Sequence, residues 1–265
     1  MMMVDLVRAE LLKVRHSPFV RGLLFLSALL PLTLMLIVAT AMSNEKEALL
    51  RWPLSVDSID GFFPLVAFVV PPTMLAWLVG VEQTGDTWKL VLARRPTRIG
   101  FLIAKVVVVV GVFVIFSPLC IAFWLAAHEA LGVVLGQVPS VGAGVVVERA
   151  MVTVVGALFG AMILGSLALL YAVLVPKNGT VAGSVGALLT FMTAGIVDSA
   201  DAPPLVFVRP IFWAGAQVLD AQVPPELATL DPTRACVVLA VWTLAPAAIA
   251  LAVFARRDVE SGAAG

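Results

Sequence analysis

Charge is scarce in this chain. Only 13% of its 265 residues are Asp, Glu, Lys or Arg, against about a quarter in an ordinary soluble domain. Acids and bases balance at a formal net charge of +0, so no excess of one sign argues for nucleic acid or an acidic ligand. There are two cysteines, Cys120 and Cys236, both inside apolar runs and without a paired metal spacing. Small buried hydrophobes are the bland reading of them. No glycine is followed by lysine, which rules out a phosphate-cradling GxxxxGK[ST] loop, and neither HExxH nor GxSxG occurs. The two histidines, His16 and His128, fall on opposite sides of the topology developed below, so they form no common site. His128-Glu129 reads as a solvated pair. Neither a catalytic residue nor a metal site is expected.

Hydrophobic residues make up 61% of the chain, more than one core of this size can absorb. Six uncharged runs reach the roughly 20 residues that a membrane-spanning helix needs: Gly22 to Met42, Gly61 to Val81, Val106 to Ala127 with a start near Ile99, Ala150 to Pro176, Asn178 to Val197, and Ala235 to Ala255. They do not alternate polar with apolar, so barrel strands are excluded. With a cytoplasmic N-terminus, 12 of the 17 basic residues fall on the inner side: Arg8, Lys13, Arg15, Arg21, Lys89, Arg94, Arg95, Arg98, Lys105, Lys177, Arg256 and Arg257. That bias orients membrane proteins. The expected fold is therefore all-α and integral to the cell's inner (plasma) membrane. It is one transmembrane domain over residues 1–265, with six transmembrane helices and both termini cytoplasmic. Ala39-Thr40-Ala41 resembles a signal cleavage site, but the apolar stretch before it exceeds the roughly 7–15 residues of a signal core, so the first span is expected to be retained.

Three features lie outside the spans. Val4, Val7, Leu11 and Val14 recur at helical spacing, which predicts an amphipathic interfacial helix within residues 1–18, broken at Ser17-Pro18. The alternative is a polar extension of the first span. Between the last two spans, residues 198–232 are proline-rich. Their apolar stretch Leu205 to Leu219 is too short to span and contains Arg209, which predicts re-entrant outer helices. Small-xxx-small patterns at Gly156/Gly160 and Gly179/Gly183 predict close helix approach, within the chain or in a dimer seam. Pro64, Pro71, Pro72 and Pro118 each remove a backbone donor and can kink their spans.

The loop between the second and third spans, Glu82 to Arg98, carries the clearest signal. Thr84 or Asp86 can cap a short helix, Trp88, Leu90, Val91 and Leu92 supply an apolar patch, Lys89, Arg94, Arg95 and Arg98 a basic one, and Pro96 a stop. Two readings stand side by side: a docking knob for a partner protein, or a loop resting on anionic headgroups. The order Glu82, Gly85, Thr87, Leu90, Leu92, Pro96, Arg98 and Lys105 resembles the ABC-2-type permeases, the membrane subunits of type V ABC exporters; Asp86 is an insertion between that family's adjacent Gly and Thr. Phe254-Ala255-Arg256-Arg257-Asp258 is similar to the family's usual end.

The resemblance implies a permease subunit that is not an enzyme. It would pair with a second permease subunit, as a homodimer or heterodimer, and would dock a separate ABC ATPase that carries ATP and Mg. Residues 82–98 would be the coupling helix, with Glu82, Gly85, Thr87, Trp88, Lys89, Leu90, Arg94, Arg95, Pro96 and Arg98 as docking residues. Thr73, Trp77, Thr190, Phe191 and Thr193 are candidates for the substrate pathway, although polar residues in spans also serve as bonds between helices. The remaining partner is membrane lipid; nucleic acid is not one. A membrane scaffold or assembly protein without transport activity is the alternative. An ion-coupled carrier is disfavoured, because no ionisable residue falls in the middle of a span.

Overall fold

A computed structural model of the chain describes residues 3–41, 52–84, 98–134, 143–199, 210, 211, 214, 217 and 231–256. Among these residues the protein is all helix. The helices are α1 (Met3–His16), α2 (Pro18–Ala41), α3 (Trp52–Thr84), α4 (Arg98–Val134), α5 (Ala143–Leu174), α6 (Gly179–Ser199) and α7 (Pro232–Arg256), with a 3-10 turn at Pro176–Asn178 between α5 and α6. Four contain stretches long and apolar enough to cross a membrane: Val66–Thr84, Ile99–Ala127, Ala150–Leu174 and Pro232–Arg256. Pro18–Leu30 and Gly179–Ala194 are shorter apolar helical stretches. Outward-facing apolar side chains such as Phe25, Ile115, Leu119, Val181 and Leu244 suit a lipid environment, where such a surface costs nothing.

Ser17 alone separates α1 from α2. Its hydroxyl accepts the Val20 amide at 3.2 Å, which caps a helix whose first residue, Pro18, has no amide to satisfy. The centre of the bundle is α3 against α5. Val70, Met74, Leu75 and Leu78 of α3 are buried, as are Ile163, Leu164, Leu167 and Ala172 of α5. The small-residue patterns are used inside the chain. A methyl group on Gly160 would collide with the Phe68 ring, and one on Gly183 would lie 2.6 Å from Ala76 Cβ and 2.7 Å from the Ala168 carbonyl. Gly80 likewise admits Thr180, drawing α3 and α6 together at one end.

The helices run unbroken through Pro71, Pro72, Pro118 and Pro246. Pro246 has no amide to offer the Trp242 carbonyl one turn back. Ser166 Oγ of α5 approaches that carbonyl at 3.1 Å and the Ile163 carbonyl at 2.7 Å. One hydroxyl proton is shared between them, so a neighbouring helix makes good the bond that proline removes. Trp124 Nε1 of α4 donates to the Ala28 carbonyl of α2 at 2.7 Å, a second side-chain hydrogen bond between helices.

Candidate functional site: a buried ion ring at the last turn of α3

α1 packs on the start of α4 through Leu6, Glu10 and Val14. These residues follow each other at one turn's spacing, so an acid occupies the middle of the packed stripe. Glu82 lies in the last turn of α3, and Lys105 lies two turns into α4. The fold brings the three together, and Lys13 completes the group. Lys13 Nζ donates to Glu10 Oε1 at 2.9 Å and to Glu82 Oε1. Lys105 Nζ donates to Glu10 Oε2 at 3.0 Å and lies 2.7 Å from Glu82 Oε2. The second approach is an ion pair. Each carboxylate thus bridges both ammonium groups, in a closed ring of alternating sign and zero net charge.

Lys105 is 0% exposed, and Glu10 and Glu82 are 2% and 4% exposed. Such groups stay ionised indoors only when fully paired. The Lys105 ammonium also sits 4.4 Å from the centre of the Phe101 ring, a further partner for a cation. Phe101 in turn stacks on Phe254 of α7, with 6.2 Å between ring centres. Lys13 lies at the mouth of the ring, with 41% of its side chain exposed. Burial pulls its pKa down, but the hydrogen bond and charge of Glu82, then those of Glu10, outweigh that and hold it above the usual 10.5.

The same end of α3 meets the turn between α5 and α6. Gly179 packs within 3.3 Å of Gly80, measured from where a methyl group would stand, and beside the Gln83 carboxamide. Both polar atoms of that carboxamide are buried without a hydrogen-bond partner. Three elements therefore converge on the last turn of α3: α1 and α4 through charge, and the α5–α6 turn through close backbone approach.

Of the residues singled out from sequence, Glu82 and Lys105 come together in the ring. Gly85, Thr87, Trp88, Lys89, Leu90, Arg94, Arg95 and Pro96 lie outside the described residues, and Arg98 opens α4. Of residues 198–232, the first two end α6, the last two lead into α7, and Pro210, Ile211, Ala214 and Gln217 are helical positions; the others, with most of the expected re-entrant segment, lie outside the described residues. Thr73 and Trp77 are half-buried on α3, and Trp77 stacks on Phe19 of α2 at 5.7 Å. Thr190 donates to the Gly186 carbonyl, so the Tyr171 hydroxyl is the donor in their 3.1 Å contact. Phe191 rests on Phe68 at 4.2 Å. Thr193 is exposed and bonds its own helix at Leu189. Among the described residues no group of three or more His, Cys, Asp or Glu is placed to hold a metal ion.

Sequence reasoning missed Glu10 and the pairing role of Lys13. The signal was present: Glu10 is an acid flanked one turn either side by Leu6 and Val14 on one helical face. The stripe noticed from sequence was Val4, Val7, Leu11 and Val14, yet Val4 and Leu11 point away from the bundle, 70% and 49% exposed.

Comparison with curated proteins and with solved structures returned no match. A family model described as an ABC-2 family transporter protein matches residues 6–195. That match covers well over half of the chain and takes in all four members of the ion ring, and on it this chain belongs to the ABC-2 transporter family of membrane transport components.

Proposed function

We propose that the chain is the membrane-spanning permease subunit of an ATP-driven ABC exporter. It crosses the inner membrane six times with both termini cytoplasmic, pairs with a second permease subunit, and docks a separate ATPase that binds ATP and Mg. Residues 82–98 are the coupling element, with Trp88, Leu90 and the basic side chains seated on the ATPase. Residues 198–232 re-enter the outer leaflet as the exit gate, and Thr73, Trp77, Thr190, Phe191 and Thr193 lie along the substrate pathway.

The observation that carries this reading is the ion ring. Residues 85–97 connect α3 to α4, Glu82 stands in the last turn of α3 and Lys105 two turns into α4, and those two side chains are paired at 2.7 Å. A connection between two helices clamped to each other this way passes a push into α3 and α4 together instead of splaying them. α1 is carried along through Glu10 and Lys13. Approach of two ATPases on binding ATP then displaces three helices per subunit as a unit, and a central cavity switches from inward- to outward-facing. Such a switch requires ATP to bind the two states with different free energy, and a two-state element joining the sites.

The test is purification of the tagged chain from its own cell in mild detergent, with mass spectrometry of what accompanies it. An ATPase in stoichiometric amount that is lost from the Trp88→Asp/Leu90→Asp variant is the expected result. A clean purification without an ATPase, repeated in native lipid, would sink the exporter reading and favour a membrane scaffold.

A further inference from the structure

α1 has two occupied roles on one side and an unclaimed surface on the other. Its inner stripe, Leu6, Glu10 and Val14, is spent on the bundle. At about 100° per residue, the rest of the surface falls into an ordered sequence around the helix. Next to the stripe come Leu11 and Val4, both well exposed. Then come Arg15 and Arg8, and beyond them Leu12 and Asp5. Arg8 and Arg15 are exposed, and no ion pair engages either among the described residues. They stand seven residues apart, two turns of one face and about 10 Å along the axis.

The ion ring makes that surface net positive. Glu10 has its charge cancelled inside the ring, so it does nothing to offset the two arginines. Exposed apolar side chains on either side of two exposed arginines fit a membrane boundary: Val4, Leu11 and Leu12 toward the acyl chains, with the long arginine side chains reaching the phosphates.

We infer that α1 is an anionic-lipid-binding element: Arg8 and Arg15 hold the phosphates of acidic phospholipids and so fix α1, through Glu10 and Lys13, against Glu82 and Lys105. The occupant is an anionic phospholipid headgroup rather than an acidic protein segment, because the arginines are flanked by exposed apolar side chains on both sides, Val4 and Leu11 on one and Leu12 on the other, which acyl chains cover and an acidic segment does not. Lipid charge thereby acts on the two ends of residues 85–97. That last consequence rests on the docking reading above; lipid binding itself does not.

The experiment is hydrogen exchange of the α1 amides in the full chain, in nanodiscs of phosphatidylcholine alone and of phosphatidylcholine with phosphatidylglycerol. No ATPase or transported solute is present, so the outcome is independent of the exporter reading. Two cations at an anionic surface are worth roughly a thirtyfold slowing of exchange in the anionic discs. In the Arg8→Gln/Arg15→Gln variant the two disc types are expected to agree within about twofold, while α5 stays equally protected and so reports an intact fold. Equal α1 exchange in both discs for the unaltered chain would overturn the inference. So would a lipid difference that survives the double substitution, or an arginine effect that arises only when an acidic peptide is added.

Discussion

Removing the Lys105 charge is the sharpest way to test whether the ion ring is a unit. Lys105→Met keeps length and apolar stem but deletes the ammonium. Each of its two contacts, 2.7 Å to Glu82 and 3.0 Å to Glu10, represents a gross attraction of about 6 kcal/mol at an effective dielectric of about 20. Most of that attraction is offset by the cost of stripping water from an ammonium that is 0% exposed. The net loss comes from what is left behind: two buried carboxylates facing the single charge of Lys13. An uncompensated buried charge costs about 3–5 kcal/mol. For a chain of this size that corresponds to a fall in melting temperature of roughly 10 °C. Melting of the detergent-solubilised protein, followed by tryptophan fluorescence, reads it directly. Restoring neutrality is the control. Lys105→Met/Glu82→Gln leaves one balanced pair, Glu10 with Lys13, and is expected to regain at least about half of the lost stability. A single variant that melts within about 2 °C of the parent, or a double variant no better than the sum of the two singles, would refute the reasoning.

Other expectations follow from the same geometry. Ser166→Ala removes the donor that serves the Trp242 carbonyl; the loss is about 1 kcal/mol, and it should vanish in a Pro246→Ala background, where the helix supplies its own amide. Gly80→Val places a branched side chain against Thr180 and should prevent α3 and α6 from meeting, seen as a loss of monodisperse protein on size exclusion, whereas a side chain added at Gly22, where nothing lies within 4 Å, should be tolerated. Lys13 has a pKa held above 10.5, so its contribution is complete at neutral pH and falls only as pH climbs past 10.5 through the native value. Melting temperatures of the parent and Lys13→Gln should therefore differ at pH 8 and converge above that range.

Much of the architecture was legible because lipid imposes long uncharged runs. Each run identified from sequence has a helix over it, and the Ser17-Pro18 break falls where local chemistry placed it. The glycine patterns announced close approach but not between which helices. That choice depends on facing partners distant in sequence: Phe68 for Gly160, Thr180 for Gly80, Ala76 for Gly183.

The ion ring shows the division most clearly. By itself the sequence determined that Glu82 and Lys105 stand at span ends and that Glu10 interrupts an apolar face, since helical period and hydropathy are local properties. Nothing local says that Glu10 and Lys105, 95 residues apart, share a hydrogen bond. Only the packing of α1 across the start of α4, beside the last turn of α3, decided that pairing. A lysine there has no route to water, and a buried charge takes the partners that the surrounding helices put within reach.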